Sequence, residues 1–292
     1  MSSSSDRLRG IAVGAAVGDA LGMSLEFKPP SSPFNLITEM RAGDLPAGTF
    51  TDDTEMALAL AESLLVSSPL EGHDLAGRFT GWFQSRPSDV GMHTARVLRM
   101  IAQGTSWEEA AQIVHENDTE EPSNGALMRC WPLALARWQN QALLVAETRL
   151  QSEVTDKHPD AVNAAIFLNL VLQKIVLREG VSHPDAVLRT AVSESVRQVS
   201  FSDEMKRAVE LAPMRQREDL KNSDWVLHTL ESALWAVYTT RSFEEALVQA
   251  VNLGADADTT GCVTGAIAGA IYGLEAIPAR WQDQLHGEYP LR

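Results

Sequence analysis

Gly10-Ile-Ala-Val-Gly14-Ala-Ala-Val-Gly18-Asp-Ala-Leu-Gly22 and Gly261-Cys-Val-Thr-Gly265-Ala-Ile-Ala-Gly269-Ala-Ile-Tyr-Gly273 each place a glycine at every fourth position. That spacing lines each set along one face of an α-helix. Glycine inside a helix costs about 0.5–1 kcal/mol relative to alanine, so four in one helix need a compensation. Close approach of a neighbouring helix backbone supplies it, and tight helix packing is the reading adopted. Similar ridges occur in membrane helices, but Arg9, Asp19 and the short apolar lengths speak against a span.

The same period runs outward from these two segments. Leu8, Ile11, Ala12, Ala15 and Ala16 form an apolar stripe, as do Met56, Leu58, Leu60, Leu64 and Leu65 after Thr51. Residues 161–177, 224–238 and 243–251 follow it too. Ser106-Trp-Glu-Glu109 and Ser242-Phe-Glu-Glu245 have the capping-box form of a helix start. Phe34–Ile37 is the one short strand candidate. Residues 28–50, with Pro29, Pro30, Pro33, Gly43 and Gly48, form the longest irregular segment, and no Ser/Gly or charged linker divides the chain. A single all-α domain of about a dozen helices is predicted over residues 1–292, with residues 1–5 as a frayed tail.

Composition narrows the function classes. The 292 residues are 45% hydrophobic and 22% charged, which suits a globular core rather than a disordered chain. A net charge of -15 argues against a nucleic-acid backbone or an anionic membrane surface as partner. A phosphate-bearing ligand would need a local source of positive charge. Cys130 and Cys262 form no paired motif and read as reduced packing residues. The start carries no secretory apolar segment, so a soluble, cytoplasmic protein is expected.

Two acidic blocks carry the chemistry. Gly48-Thr-Phe-Thr51-Asp52-Asp53-Thr54 opens a helix, where Asp and Thr can simply cap free N–H groups. Adjacent Asp52 and Asp53 repel each other, however, and one cap would suffice. Gly254-Ala-Asp256-Ala-Asp258-Thr259-Thr-Gly261 offers hard oxygen ligands suited to Mg²⁺, Mn²⁺ or Ca²⁺. An EF-hand is excluded, because the twelfth position from Asp256 is Ile267. Asp-x-Asp-x-Thr also fits a haloacid-dehalogenase-type phosphatase nucleophile, which would require a strand before Asp256. If the two blocks converge, four carboxylates call for about two divalent cations.

Four blocks, in order, resemble the ADP-ribosylglycohydrolase family: Gly18-Asp-Ala-Leu-Gly22 with Glu26, Thr51-Asp-Asp-Thr54, Asn124-Gly-Ala-Leu-Met-Arg129 and Leu253-Gly-Ala-Asp-Ala-Asp-Thr-Thr-Gly261. The ending Ile277-Pro-Ala-Arg-Trp281 fits as well. The resemblance implies a compact orthogonal multi-helix domain and hydrolysis of an N- or O-glycosidic bond at C1″ of ADP-ribose. It implies a site for two Mg²⁺ or Mn²⁺ held by Thr51, Asp52, Asp53, Asp256, Asp258 and Thr259. The substrate would be an ADP-ribosylated protein or a small ADP-ribosyl conjugate, with arginine the expected acceptor.

By the same resemblance Glu26 is the glutamate of a mobile loop near the metals. Asp89, in Asp89-Val-Gly-Met-His-Thr94, would face the ribose as a candidate acid/base; as a bare feature it reads as an N-cap. Asn124, Gly125 and Gly254 fall in ligand-binding blocks, and Trp225 stands where an adenine-stacking Tyr is common. Helix N-termini at both acidic blocks could add N–H donors for phosphate. His93 and His158 read as structural. Two departures bear on the ligand cradle. Thr119-Glu120-Glu121-Pro122-Ser123 replaces a small, Gly-rich stretch with two carboxylates, and Thr155-Asp156 replaces a Thr-His pair. A catalytically weak, metal-stabilised binding protein is therefore the rival reading, with the Mg²⁺-dependent phosphohydrolase third.

Overall fold

The two glycine ridges face each other. In the computed structural model, which describes residues 3–117, 121–180 and 183–287, helices α1 (Ser4–Gly22) and Ala257–Tyr272 run antiparallel in backbone contact. A Cβ built on Gly10, Gly14, Gly18 or Gly22 would overlap the carbonyl oxygen of Gly269, Gly265, Gly261 or Ala257 in turn. Each ridge is thus the compensation that the other required. The start of α1 is more ordered than its serine run suggested. The Ser3 hydroxyl accepts the Asp6 N–H at 3.1 Å, so the helix begins at Ser4 rather than after a frayed residue 5.

Fourteen further α-helices follow among the described residues. On one side of the core lie α2 (Asp52–Val66), α3 (Gly72–Gln84), α4 (Met92–Ala102) and α5 (Trp107–Asn117). The short α6 (Gly125–Met128) and α7 (Trp131–Arg137) lead to α8 (Gln141–Glu153) and the long apolar α9 (Pro159–Leu177). Then come α10 (Pro184–Val196), α11 (Asp203–Leu211), α12 (Val226–Thr239), α13 (Phe243–Val251), α14 (Ala257–Tyr272) and α15 (Ala279–Gln282). Helices α1 and α9 are long and apolar enough to cross a membrane, but 78% of each such window is buried inside the fold. They are core helices.

At both predicted capping boxes the serine half forms, without the reciprocal bond to the cap residue's own N–H. Ser106 and Ser242 hydroxyls accept the N–H groups of Glu109 (3.3 Å) and Glu245 (3.1 Å). Glu245 reaches back to the N–H of Arg241 rather than to that of its own cap residue. No strand forms among the described residues. Residues 34–37 are irregular, and among the described residues the extended pairings are isolated bridges, Thr49 with His286 and Ser123 with Trp225. Leu65 does not join the α2 stripe, because the helix leaves the core in its last turn and that side chain is 87% exposed. Cys130 and Cys262 are free and buried.

Candidate active site

The antiparallel α1–α14 pair sets the site, because it puts the C-terminal end of α1 beside the N-terminal end of α14. Asp19 on α1 and Asp258 on α14 therefore sit at one end of the pair, and α2 begins against them. The Asp19 carboxylate takes the Thr51 N–H at 2.9 and 3.1 Å and the Thr51 hydroxyl at 2.9 Å. It also takes the Thr54 N–H at 3.1 Å and the Thr54 hydroxyl at 2.6 Å. Helix α2 is thus capped from another helix, and its own Thr51 side chain makes no cap bond. Two of the N–H groups at this helix start, those of Thr51 and Thr54, are thereby taken and are not free for a phosphate.

The two acidic blocks, some 200 residues apart, meet. One oxygen of Asp53 lies 3.5 Å from the Thr51 hydroxyl and 3.4 Å from the Thr259 hydroxyl, while its other oxygen is buried with no partner. Oxygens of Glu26, Asp89 and Asp258 lie within 4.8 Å of one another. Glu26 follows a 3₁₀ turn, Met23–Leu25. Asp89 is not a helix cap, since α4 starts at Met92 with Gly91 as N-cap. Asp52, Asp256, Asp258, Thr259, Glu26 and Asp89 all line a cavity of about 1140 Å³. Thr51 and Asp53 stand behind that wall, 2% and 1% exposed.

Burial dominates the electrostatics here. It pushes Asp19 up to about 7 against the pull of its four Thr donors. It pushes Glu26 up to about 8, helped by the charges of Asp89 and Asp256. Asp52, Asp53 and Asp258 are driven well above the usual carboxylate range by burial and by one another, and Asp89 and Asp256 rise as well. So many carboxylates cannot ionise together in one place without a counter-charge. The donors are all hard oxygens, and one buried Asp53 oxygen has no protein partner, so the residues fit a hard divalent cation.

Other predicted site residues are placed differently from one another. Asn124 and Gly125 line the cavity, but the Asn124 amide donates to Asp256 at 2.6 Å and to Thr229 at 2.9 Å, so it orients a carboxylate. Gly254 is not on the cavity wall. Its φ of +70° and the backbone of Lys28 and Pro29 against its Cα explain the glycine. Trp225 is not there either. The Ser123 bridge holds it extended, where successive side chains point opposite ways, so Asp224 faces the cavity and the indole packs on His228, ring centroids 4.5 Å apart.

Of the two departures, Asp156 is not on the cavity wall but sits behind it, its Oδ2 3.7 Å from Nε2 of the wall residue His93. It is 2% exposed and accepts the His158 N–H (2.9 Å) and the Ser123 hydroxyl (3.1 Å). Glu121 is exposed on the cavity rim, while Thr119 and Glu120 lie outside the described residues. His93 lines the cavity with Nε2 3.0 Å from the Thr155 carbonyl oxygen, and the His158 ring caps α9 through the Asp160 N–H.

Sequence reasoning gave no role to two residues that organise this centre. Asp19 had a visible signal, a lone carboxylate on a glycine-striped apolar helix. Asn222 had none. Its amide donates to the carbonyls of Gly254 (2.5 Å) and Asp256 (3.1 Å), and its oxygen accepts the Thr260 hydroxyl at 2.6 Å. The loop carrying Glu26 is likewise tied to the Asp256 loop. Phe27 N–H donates to the Ala255 carbonyl and Ala255 N–H to that of Lys28, both at 2.7 Å, with Phe27 and Ala255 both left-handed (φ 56° and 50°). The phosphatase alternative fails here, because helix α13 precedes the Asp256 loop and Asp256 itself is the N-cap of α14.

An all-helical domain whose cleft gathers carboxylates from both ends of the chain is the class these features define. The chain belongs to the ADP-ribosylglycohydrolase family, whose profile matches residues 1–292. It is 32% identical to the ADP-ribosyl-[dinitrogen reductase] glycohydrolase of Rhodospirillum rubrum, over 96% of this chain and 90% of that one. It is 32% identical to the ADP-ribosylarginine hydrolase Tri1 of Serratia proteamaculans, over 97% of this chain and 76% of that one. A solved structure titled ADP-ribosylglycohydrolase-related protein complex superposes with a TM-score of 0.81, at 35% identity, over 98% of this chain and 94% of that one.

Proposed function

We propose that this protein hydrolyses the bond joining C1″ of ADP-ribose to an acceptor, arginine, on an ADP-ribosylated protein or small conjugate. We assign its cations, two Mg²⁺ or Mn²⁺, to Thr51, Asp52, Asp53, Asp256, Asp258 and Thr259. The observation that carries the reading is the meeting of the two acidic blocks at Asp53, against the cavity lined by Glu26 and Asp89. When bound, the cations supply the positive charge that an acidic cleft lacks for a diphosphate, and they polarise oxygen.

The chain's own residues do the rest. Cleavage at C1″ develops oxocarbenium character, which a carboxylate on the cavity wall stabilises. Glu26 and Asp89, half-buried there, are the candidates for that role and for taking the proton of the attacking water. Asn124 holds Asp256 in orientation, and the Phe27–Ala255 pairing holds Glu26 to the same wall.

The test is release of ADP-ribose from ADP-ribosyl-arginine with Mg²⁺, beside Asp52→Ala/Asp53→Ala and Asp256→Ala/Asp258→Ala. Activity in the wild type that both double substitutions and EDTA abolish is expected. Activity that survives all three removes the metal centre from the reaction. An inert wild type that still binds ADP-ribose favours the binding-protein reading.

A further inference from the structure

We infer that Asp19 is a positioning residue that aims the Thr51-Asp52-Asp53 block, so that Thr51 presents lone pairs rather than a hydrogen to the acidic centre. The inference rests on the metal-site reading above.

The geometry is specific to this carboxylate. Asp19 is fully buried, and every hydrogen bond its carboxylate accepts comes from residues 51 and 54, at the two ends of the first turn of α2. A hydroxyl has one hydrogen and two lone pairs. The Thr51 hydrogen has two possible acceptors, Asp19 at 2.9 Å and Asp53 at 3.5 Å, and the shorter contact wins. With its hydrogen committed to Asp19, the Thr51 oxygen turns electron density toward the Asp53 side, where the cations are assigned. Outer groups that orient ligand atoms in this way act on metal affinity without touching the metal.

The placement of Asp19 ties this orientation to the second block. It sits between Gly18, whose Cα abuts the Gly261 carbonyl, and Gly22, whose Cα abuts Ala257 and Asp258. Helix α1 therefore cannot shift without moving both its grip on α2 and its contact with the start of α14. One carboxylate couples the spacing of two ligand blocks that are far apart in sequence. Asparagine would match its shape but not its chemistry: an amide nitrogen would confront either the Thr51 or the Thr54 N–H, placing donor against donor.

The experiment is Mn²⁺ titration of EDTA-stripped protein, read by the EPR signal of free Mn²⁺, with the melting temperature of the metal-free protein measured alongside. Asp19→Asn is expected to weaken Mn²⁺ binding about 10–100-fold. Thr54→Val, which removes one donor to Asp19 from a residue outside the ligand set, should weaken it severalfold, and Thr54→Ser should restore it. Metal-free melting temperatures should not follow the same order. Asp19→Asn that binds Mn²⁺ within twofold of wild type overturns the inference. So does affinity that falls only in step with metal-free stability. If Asp19→Asn does not fold, the Thr54 pair decides: Val weakened and Ser restored supports it, whereas both at wild-type affinity overturns it. A wild type that takes up no Mn²⁺ defeats the metal-site reading itself, which distinguishes that failure from this one.

Discussion

Gly18 and Gly261 touch backbone to backbone: a Cβ on either residue would overlap the carbonyl oxygen of the other. Such contact has no flexible side chain that can yield, so α1 and α14 must part if either residue gains a methyl group. Gly18→Ala is expected to destabilise the protein by at least about 2–3 kcal/mol. Gly77→Ala, at an exposed position of α3 with nothing near its Cα, should stabilise by about 0.5–1 kcal/mol instead. Urea unfolding midpoints moving in opposite directions check both; a neutral Gly18→Ala would mean that the helix contact is looser than described.

Metal removal should be visible in stability as well as in turnover. A ligand that binds only the folded state adds about 2.7 kcal/mol at a concentration 100 times its Kd. Mg²⁺ or Mn²⁺ should therefore raise the melting temperature, and EDTA should reverse the rise. Asp53→Asn should abolish the increment while raising the metal-free melting temperature, because it removes a buried carboxylate crowded by Asp19 and Asp52. Thermal melts with and without EDTA measure both; a metal-free Asp53→Asn protein that melts below wild type contradicts the account.

Much of this was legible beforehand because it rests on local spacing. The four-residue glycine period specified two helices and a tight partner for each, and the Asp/Thr blocks specified hard oxygen ligands. What spacing could not carry is which surfaces meet. Nothing in residues 10–22 says that the partner ridge is 261–273, and only that pairing makes Asp19 a cap for α2. Side-chain direction in irregular backbone was equally hidden. Trp225 and Gly254 flank residues that do face the cavity, Asp224 and Ala255, and a single bridge or a left-handed φ decides which neighbour does. Leu65 belonged to the right helix, but helix α2 outruns the core.

Arg129 is a fully buried cation with a fork of contacts. Its Nε donates to Gln151 Oε1 (3.1 Å), its Nη2 to the Gln151 carbonyl (3.1 Å) and to the Thr155 hydroxyl (2.7 Å), and it lies 4.7 Å over the Phe79 ring. Burial lowers its pKa to about 10, which still leaves it charged at neutral pH. Lysine keeps the charge but not the fork, leaving buried acceptors bare. Arg129→Lys should cost about 2–4 kcal/mol in denaturant unfolding. An unchanged midpoint would show that the charge alone matters.

The two cysteines should be silent in the native state. Cys130 and Cys262 are fully buried, and burial raises the Cys130 thiol to about 12, so almost no thiolate is available. A disulfide-exchange reagent at pH 8 should label neither within minutes, and both in guanidinium. Rapid native labelling would reveal opening of the core around α9 and α14.

Glu121 is the departure that reaches the ligand cavity, and its effect should be electrostatic and small. It is exposed where it lines the cavity, so its field acts largely through water. At roughly 10 Å in a solvent-like dielectric, one charge on another is worth only about 0.4–0.8 kcal/mol, and salt screens it. Glu121→Gln should therefore tighten ADP-ribose binding about two- to fourfold at low ionic strength, with the gain gone near 0.5 M salt. Asp156→Asn supplies the contrast. Asp156 sits behind the cavity wall, held by the His158 N–H and the Ser123 hydroxyl, so that substitution should cost stability and leave affinity in place. Calorimetric titration of ADP-ribose at two salt concentrations separates the two. A Glu121→Gln affinity gain that persists at high salt would point to a contact rather than a field, and an Asp156→Asn gain would put Asp156 back in the cradle.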